Sequence, residues 1–173
     1  MRIPALLLAS ALLLTACAES PEPNATATAS STTTATAQPG DLANYTVTGD
    51  RGAEPAVDIA AAAGNVTQLL VQDIYEGDGA EVQATDDVTV HYVGVGAMSR
   101  QVFDSSWAAG MTASFPLNGV IVGWQQGLLG MKVGGRRLLV IPADQAYGES
   151  GTPDGSIAPG ETLIFVVDLV SIP

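Results

Sequence analysis

The sequence predicts an α+β fold in which a strongly twisted antiparallel β-sheet wraps around one short α-helix. Two observations lead to this prediction. From residue 45 onward the chain consists mostly of short runs rich in β-branched residues between turn residues, which is typical of antiparallel strands. One segment, residues 119–130, has helical spacing instead. A single helix must bury its apolar stripe against the sheet, and that arrangement is α+β.

Strands are expected at five places in the chain, and the helix lies between the third and the fourth. The strands fall at residues 45–48, 69–74, 88–92, 136–141 and 162–170. In the helix, Ile121, Trp124 and Leu128 occupy positions i, i+3 and i+7, so they share one face. The last strand is apolar on both faces as far as Asp168, a pattern typical of the centre of a sheet.

Residues 1–16 have the pattern of an export signal. Arg2 precedes an apolar run at residues 3–14, and small residues lead to Cys17. The run is shorter than the ~20 residues that a membrane-spanning helix needs. The segment resembles a bacterial lipoprotein signal, in which Cys17 is lipidated and becomes the new N-terminus; an ordinary secretory signal with a coincidental cysteine is the alternative. We expect an exported protein, anchored to the cell membrane through Cys17 and facing the extracytoplasmic side.

The remainder of the chain divides into a tether, an extension and a globular domain. Residues 17–40 are rich in Ala, Thr, Ser and Pro and contain no aromatic or large aliphatic residue. Such a segment cannot bury enough apolar surface to fold, so we predict a disordered tether. Residues 41–68 form an N-terminal extension, whose runs at 45–48 and 57–59 are candidates for edge strands of the sheet. Residues 69–173 form the globular domain.

The charge and the composition exclude several classes of function. Six basic and 18 acidic residues give a formal net charge of −12. This balance argues against nucleic-acid binding, because phosphate contacts need clustered Lys and Arg. With one Cys and one His, a zinc site built from protein ligands is not expected. We predict neither a metal nor a cofactor.

Aromatic residues make up only 5% of the chain, and several of them accompany the predicted strands and helix. Taken singly, Tyr92, Phe103, Trp124 and Phe165 are most simply core residues. Together with Asp104 they suggest an apolar cup that holds one buried acid. A buried Asp104 would need a hydrogen-bond partner, which the Tyr92 phenol can supply, whereas the alternative is an aspartate that caps a turn. Such a cup suits a small apolar ring and lacks the groups needed for covalent chemistry.

Two further residues flank this predicted cup. Tyr147 precedes a Gly- and Pro-rich loop at residues 149–159, and loops of that length often form the walls of binding sites. His91 alternates with Tyr92 along one strand, so we expect it to point away from the cup, towards solvent or a second core.

Taken in order, these stretches resemble the FKBP family of peptidyl-prolyl isomerases. The resemblance covers about residues 69–172 and implies that residues 69–173 are an isomerase domain with the FKBP-like form of the predicted fold. The pieces that carry it are His91-Tyr92, Phe103-Asp104-Ser105-Ser106, Val120-Ile121, Gly123-Trp124, Met131 with Gly134, Ala146-Tyr147-Gly148, and Ile157 before Pro159.

The resemblance also implies a site in which the proline ring of the substrate lies over Trp124. In the family, a backbone N–H at the position of Ile121 and a hydroxyl at the position of Tyr147 donate hydrogen bonds to ligand carbonyls. Asp104 matches the pocket acid, and Ile157 matches a residue of an overhanging loop. The implied catalytic residues are Tyr92, Phe103, Asp104, Trp124, Tyr147 and Phe165, and the implied substrate-binding residues are Val120, Ile121 and Ile157.

The function implied by the resemblance is peptidyl-prolyl cis-trans isomerisation, by non-covalent stabilisation of the twisted amide in an apolar pocket. The implied partners are proline-containing polypeptides in non-native form, which here would be exported proteins, and macrolide inhibitors of the FK506 type. The export signal adds the membrane as a partner through Cys17. Two alternatives stay open: a catalytically weak proline-binding chaperone module tethered to the membrane, and a lipoprotein that only tethers a partner.

The sequence departs from the family pattern at the rim of the implied pocket. Ala113 stands where the family often has an aromatic residue, and the stretch 115–120 is about two residues shorter. The loop after Tyr147 is one residue longer than in the family, and no Arg follows Trp107 that could pair with Asp104. These departures bear on substrate preference and on the affinity for macrolides.

Overall fold

The computed structural model describes residues 40–173. The predicted signal peptide, Cys17 and nearly all of the predicted tether lie outside the described residues. The described strands and α-helix are β1 (Tyr45–Thr48), β2 (Ala56–Ile59), β3 (Leu70–Tyr75), β4 (Asp87–Gly96), β5 (Val102–Ser105), β6 (Ala113–Pro116), α1 (Val122–Gly127), β7 (Arg136–Ile141) and β8 (Leu163–Ser171).

Six of these strands form one antiparallel sheet, the main sheet. Its order is β3-β7-β8-β4-β5, and β6 pairs with the first residues of β4, so β5 and β6 share one side of that long strand. β8 lies between β7 and β4, which confirms the prediction that the apolar last strand is central. A large antiparallel sheet with one short α-helix against it also confirms the predicted α+β class.

Helix α1 is shorter than the predicted segment 119–130. Residues 117–119 form a turn of 3-10 helix instead, and Leu128 already caps the C-terminus of α1. Gly130 then adopts a φ of +69°, a left-handed conformation that glycine takes without strain and that redirects the chain towards β7. No helix within residues 40–173 is long and apolar enough to cross a membrane.

Two glycines allow α1 to lie directly on the main sheet. A Cβ atom on Gly123 would lie 2.3 Å from Cγ2 of Ile141, and a Cβ on Gly127 would lie 2.7 Å from Cδ2 of Leu139. Both contacts are far inside van der Waals distance, so a larger residue at either position would push the helix away from β7. Because Trp124 lies between these glycines, their small size sets the depth at which its indole is buried.

The main sheet carries an apolar core on each face. The helix face, which packs against α1, is lined by buried residues that include Val90, Leu139, Ile141, Leu163, Val167 and Leu169. The opposite face presents Val93, Val95, Leu138, Val140, Ile164 and Val166, all 5% exposed or less. Apolar side chains on both faces explain why β7 and β8 read as continuous apolar runs.

The N-terminal extension covers the opposite face and does not lengthen the main sheet. β1 and β2 pair only with each other, in the register Tyr45 with Ile59, as a separate two-stranded sheet. The strands therefore exist near the proposed positions, but the interpretation as edge strands of the main sheet is wrong. Tyr45, Ile59 and Val66 are each 6% exposed or less and complete the second core. Burial of these side chains removes from water an apolar face that would otherwise be exposed.

A buried arginine fastens the extension to the main sheet. The Arg136 side chain on β7 is 1% exposed and bonds the Asp168 carboxylate on β8 through Nε at 2.5 Å and Nη2 at 2.7 Å. It also donates from Nη2 to the Ala53 carbonyl at 2.6 Å and from Nη1 to the Gly49 carbonyl at 3.2 Å. Both carbonyls belong to the connection between β1 and β2. The guanidinium thus links an ion pair between central strands to the backbone of the extension.

Another buried charge joins two loops beside β8. Glu161 is 2% exposed, and one carboxylate oxygen accepts from the N–H groups of Met98 and Ser99, at 3.2 and 3.0 Å, while the other accepts from the Ala158 N–H at 2.9 Å. Burial alone would raise the pKa of Glu161. These hydrogen bonds from Ser99, Ala158 and Met98 outweigh burial and hold the pKa below its ordinary value of 4.5.

The lowered pKa of Glu161 predicts a pH-dependent contribution to stability. A group whose pKa is lower in the folded state stabilises the fold fully above its unfolded pKa, and the contribution is lost as the pH falls through the folded pKa. We expect Glu161→Gln to lower the free energy of unfolding by about 2–3 kcal/mol at pH 7. The difference from wild type should shrink towards pH 3, as measured by urea denaturation at both pH values. Glu149→Gln, at an exposed site in the neighbouring loop, is the control; a Glu161→Gln effect independent of pH would contradict the prediction.

Candidate functional site

An apolar pocket opens on the helix face of the main sheet, between α1, the edge strand β5 and the segment that contains Tyr147. Its volume is about 310 Å³, at the small end of the ~300–1,000 Å³ typical of small-molecule sites. The lining residues are Tyr92, Phe103, Asp104, Phe115, Gly119, Val120, Ile121, Trp124, Tyr147 and Phe165. Eight of the nine pocket residues proposed from the sequence therefore line one cavity.

Trp124 forms the floor of this pocket. It is 4% exposed, and its ring meets Tyr92, Phe115 and Phe165 at centroid distances of 5.5, 5.9 and 5.3 Å. The three interplanar angles lie between 85° and 88°, the edge-to-face geometry that aromatic pairs favour. The indole Nε1 is buried and has no hydrogen-bond partner within residues 40–173. A buried donor without a partner is costly, so this N–H is an unsatisfied group in the floor of the pocket.

Gly94 on β4 makes room for the ring pair that forms one wall. Phe103 and Phe165 meet edge to face at 5.5 Å. A Cβ on Gly94 would lie 2.6 Å from Cζ of Phe103 and 2.9 Å from Cε1 of Phe165. Only glycine at this position lets both rings rest against the strand, and any side chain there would press Phe103 towards the cavity.

Tyr92 and Asp104 form the polar element of the pocket. The Tyr92 hydroxyl donates to Oδ2 of Asp104 at 2.5 Å, which agrees with the partner expected from the sequence. Burial and, after it, the adjacent Asp104 carboxylate raise the pKa of the Tyr92 phenol above its ordinary value of 10.0. The hydroxyl therefore stays protonated at neutral pH and keeps its role as donor.

The expectation of a buried acid is wrong. Asp104 is exposed, because β5 is the edge strand of the main sheet and no other strand within residues 40–173 pairs with its outer side. Its Oδ1 atom accepts no hydrogen bond from any residue in 40–173, and it has no ion-pair partner there. Asp104 is thus a carboxylate at the rim of the cup, and one of its oxygens faces solvent.

The backbone of Tyr92 is held from the opposite face of the main sheet. The Ser106 Oγ accepts from the Tyr92 N–H at 2.8 Å and lies 3.0 Å from Nδ1 of His91. The His91 ring stacks on Trp107 with centroids 4.0 Å apart. His91 therefore points away from the pocket, as the alternation predicted, and packs beside the second core.

Ile157 is the one proposed pocket residue that does not line the cavity. It is 3% exposed and packs into the core of the helix face. The loop folds back because the Ile157 N–H donates to the Thr152 Oγ1 at 2.9 Å, and the Thr152 N–H donates to the Ile157 carbonyl at 3.0 Å. These bonds turn the side chain inward, so its assignment to substrate contact has no geometric support. Tyr147 remains 44% exposed at the pocket mouth.

Two lining residues, Phe115 and Gly119, were not among the residues proposed from the sequence. Phe115 lies on β6 opposite Val88 and reaches both Trp124 and Tyr92 with its ring. The signal was present, because Phe115 is one of only three phenylalanines and precedes the helix closely. Ala113, where the family often has an aromatic residue, is half-buried and packs on the core without lining the cavity.

The fold and the pocket together define a class of protein: a small sheet-and-helix domain with an apolar pocket beside hydrogen-bond donors that have no partner within residues 40–173. Within residues 40–173, no group of three or more His, Cys, Asp and Glu side chains is placed to hold a metal ion. Comparison with known proteins identifies the class. The profile of the FKBP-type peptidyl-prolyl cis-trans isomerase family matches residues 79–170.

Individual relatives agree with the profile. The chain is 51% identical over 123 residues to an FK506-binding protein of Streptomyces anulatus, covering 70% of this chain and 91% of that relative. It is 52% identical over 103 residues to a probable FK506-binding protein of Corynebacterium glutamicum, covering 60% and 86%. The crystal structure of FkpA from Escherichia coli superposes with a TM-score of 0.57 at 40% identity, over 61% of this chain and 48% of that one.

The chain therefore belongs to the FKBP family of peptidyl-prolyl cis-trans isomerases. This confirms the resemblance seen in the sequence, and with it the predicted enzyme class and the FKBP-like fold.

Proposed function

We propose that this protein accelerates rotation about X–Pro bonds in exported polypeptides, with the pocket of the helix face as its active site. The residues proposed to act are Tyr92, Phe103, Asp104, Trp124, Tyr147 and Phe165, with Val120 and Ile121 in contact with the substrate. The observation that carries the proposal is an apolar cup lined by hydrogen-bond donors that have no partner in the described part of the chain.

The apolar lining supports catalysis because the twisted amide is less polar than the planar one. Rotation about the X–Pro bond is opposed by amide resonance, which contributes a barrier of about 18–20 kcal/mol. Resonance separates charge in the planar amide, and the twisted amide is less polar. A cup floored by Trp124 and walled by Phe103 and Phe165 replaces water with aromatic rings, so it favours the twisted state over the planar one. Differential binding of this kind raises the rate without a covalent intermediate.

Unpaired donors support the orientation of the substrate. Ile121 lines the pocket, and its backbone N–H has no acceptor within residues 40–173, because it lies at the N-cap of α1 ahead of the first intrahelical bond. The exposed Tyr147 hydroxyl is likewise without a partner in that range. In the proposed complex these two groups bind substrate carbonyls on either side of the proline.

The proposed setting is the outer side of a membrane. Lipidation at Cys17 and a tether over residues 17–40 would hold the isomerase near exported chains that have not yet folded. The membrane anchor is tested by metabolic labelling with an alkyne fatty acid. Label should appear on the wild-type chain and be absent from Cys17→Ser; equal labelling of both would reject the anchor. Macrolides of the FK506 type are proposed to compete for the same cup, because the relative from Streptomyces anulatus is named an FK506-binding protein.

The activity is tested by exchange NMR on a proline-containing tetrapeptide, with the full chain in mild detergent. We expect cis-trans exchange faster than the uncatalysed rate, which corresponds to tens to hundreds of seconds. Inhibition by an FK506-type macrolide should be competitive. A well-folded protein that binds the peptide without accelerating exchange would reject the proposal and support the proline-binding chaperone module. Absence of both binding and acceleration would support a lipoprotein that only tethers a partner.

A further inference from the structure

The pocket rim carries a negative charge that nothing in the described chain neutralises. Asp104 is the only charged residue among those that line the cavity. Tyr92 engages one of its oxygens, and the second oxygen accepts no hydrogen bond and forms no ion pair within residues 40–173. This carboxylate stands beside aromatic walls, where water is partly displaced and a charge interacts more strongly than in bulk solvent.

The cations of the described chain all lie elsewhere. Three of them are neutralised by acids: Lys132 by Glu76 at 2.9 Å, Arg136 by Asp168, and Arg137 by Asp73 at 2.6 Å. The other two, Arg51 and Arg100, donate to the carbonyls of Glu76 and Ala60. No cation among residues 40–173 lines the pocket.

The segments that build the pocket contain acids but no Lys or Arg. Residues 101–131 supply β5, β6 and α1 and contain one acid, Asp104, and no Lys or Arg. Residues 138–167 supply Tyr147 and Phe165 and contain four acids and again no Lys or Arg. Of those four, Glu161 already accepts hydrogen bonds from backbone N–H groups through both carboxylate oxygens. The other three, Asp144, Glu149 and Asp154, are exposed. Strand β4, which supplies Tyr92, contains Asp87 and no Lys or Arg. The extension adds Glu54, whose Oε1 accepts from the Ser105 hydroxyl at 3.2 Å on the same edge strand.

We infer that the pocket selects proline residues flanked by Lys or Arg, and discriminates against proline flanked by Asp or Glu. This inference rests on the proposed isomerase function and names its substrate class. A residue next to the proline leaves the cup across the rim, where a cationic side chain meets the free oxygen of Asp104 and an acidic one meets a like charge. Glu54, which accepts from the Ser105 hydroxyl on the same strand, adds a second negative charge near Asp104. Both act over about one Debye length, ~8–10 Å at moderate salt.

The size of the preference follows from the exposure of Asp104. An exposed pair of opposite charges contributes a factor of about two to five. Repulsion of a like charge acts in the other sense, so we expect kcat/KM for a Lys-flanked proline to exceed that for a Glu-flanked proline by about five- to tenfold at low salt. Because exposed charges are screened, the ratio should approach about one near 1 M salt.

The test compares three capped peptides of the form Ala-Xaa-Pro-Xaa-Ala, in which Xaa is Lys, Gln or Glu. Exchange NMR gives kcat/KM for the full chain in uncharged detergent, with the uncatalysed rate of each peptide subtracted. The variant is Asp104→Asn, which keeps an acceptor for the Tyr92 hydroxyl and removes the charge. Asp58→Asn, on the exposed side of β2 and remote from the pocket, removes the same charge and is the matched control.

The expected outcome is the order Lys, Gln, Glu in wild type and in Asp58→Asn, with a Lys-to-Glu ratio at least about twofold smaller in Asp104→Asn. Equal acceleration of the three peptides would overturn this inference and leave the isomerase function intact. The same holds if Asp104→Asn lowers all three rates by one common factor, because Asp104 would then act without selecting charge. No acceleration of any peptide would reject the proposed function and this inference together.

Discussion

Replacement of Trp124 by Leu is expected to lower kcat/KM for X–Pro exchange by about 10- to 100-fold. The substitution removes three edge-to-face contacts, with Tyr92, Phe115 and Phe165, at 5.3–5.9 Å. Those contacts hold the rings of the cup in place for the substrate, and about 1.36 kcal/mol of lost transition-state stabilisation corresponds to a tenfold change in rate. The leucine leaves a wider, wetter floor that no longer orients the rings. Exchange NMR on the Gln-flanked peptide measures the effect.

Loss of stability must be separated from loss of the site in that experiment. Trp124 is a core residue as well as the pocket floor, so Trp124→Leu also lowers the free energy of unfolding, by about 3 kcal/mol or less. Leu138→Ala is a suitable control, since Leu138 is fully buried in the second core and its loss costs a similar amount. The control should keep its kcat/KM. If both variants lose activity equally at a temperature where both are folded, the assignment of Trp124 to the floor of the active site is wrong.

A second variant separates the indole N–H from the aromatic surface. Trp124→Phe keeps a ring on the floor and removes the unpartnered Nε1 donor. If the donor assists the substrate, kcat/KM falls further than the smaller ring area explains, and the affinity for an FK506-type macrolide falls with it. If only the apolar surface matters, Trp124→Phe is close to wild type and Trp124→Leu is not.

Replacement of Arg136 by Met is expected to lower the free energy of unfolding by about 3–5 kcal/mol. Removing one partner of a buried ion pair leaves the other charge uncompensated, and this costs far more than the pair itself contributes. Here the charge left behind is Asp168, whose side chain is 15% exposed in the centre of the main sheet. The carbonyls of Gly49 and Ala53 lose their donor at the same time. Urea denaturation gives the loss in stability.

The Arg136 prediction has a matched surface control and a rescue. Lys132→Met breaks the exposed pair with Glu76 and should cost about 1 kcal/mol or less. In Arg136→Met/Asp168→Leu the buried charge is gone, so part of the stability should return. Hydrogen exchange in residues 45–59 should rise in Arg136→Met, because the extension loses its fastening to β7. An Arg136→Met protein as stable as Lys132→Met would show that this ion pair does not hold the fold together.

The spacing of apolar side chains predicted the strands and the helix well, because that spacing follows from the backbone geometry of each element. The apolar character of β8 implied a central strand, and the position of Trp124 within a single helical stripe implied a buried indole. The helix nevertheless ended early. It ends at Gly127 with Leu128 as its C-cap, and residues 117–119, at the start of the predicted helix, form a 3-10 turn instead. Element identity follows from side-chain spacing, whereas boundaries depend on caps and turns that compete within a few residues.

Errors arose where burial depended on a partner distant in the chain. Asp104 was expected to be buried, but β5 lies at an edge, and edge position is decided by which strands pair. The inward position of Ile157 has a local cause instead, because Thr152 closes the loop around it, and the Gly- and Pro-rich pattern does not specify this contact. β1 and β2 had a strand pattern, yet the face they cover belongs to strands some 35 to 120 residues further along the chain.

The sequence by itself determined that this chain folds as an antiparallel sheet with one helix, that Trp124, Tyr92 and their aromatic neighbours belong together, and that the family is FKBP. Spacing, composition and an ordered set of motifs suffice for those conclusions, since all three can be read from the order of residues alone. Only the tertiary structure decided that the extension seals a second core through Arg136, that Ile157 is withdrawn from the pocket, and that Asp104 stands unpaired at the rim. The pairing of distant strands decides that Asp168 meets a cation and that Asp104 faces solvent, and no local sequence pattern predicts that pairing.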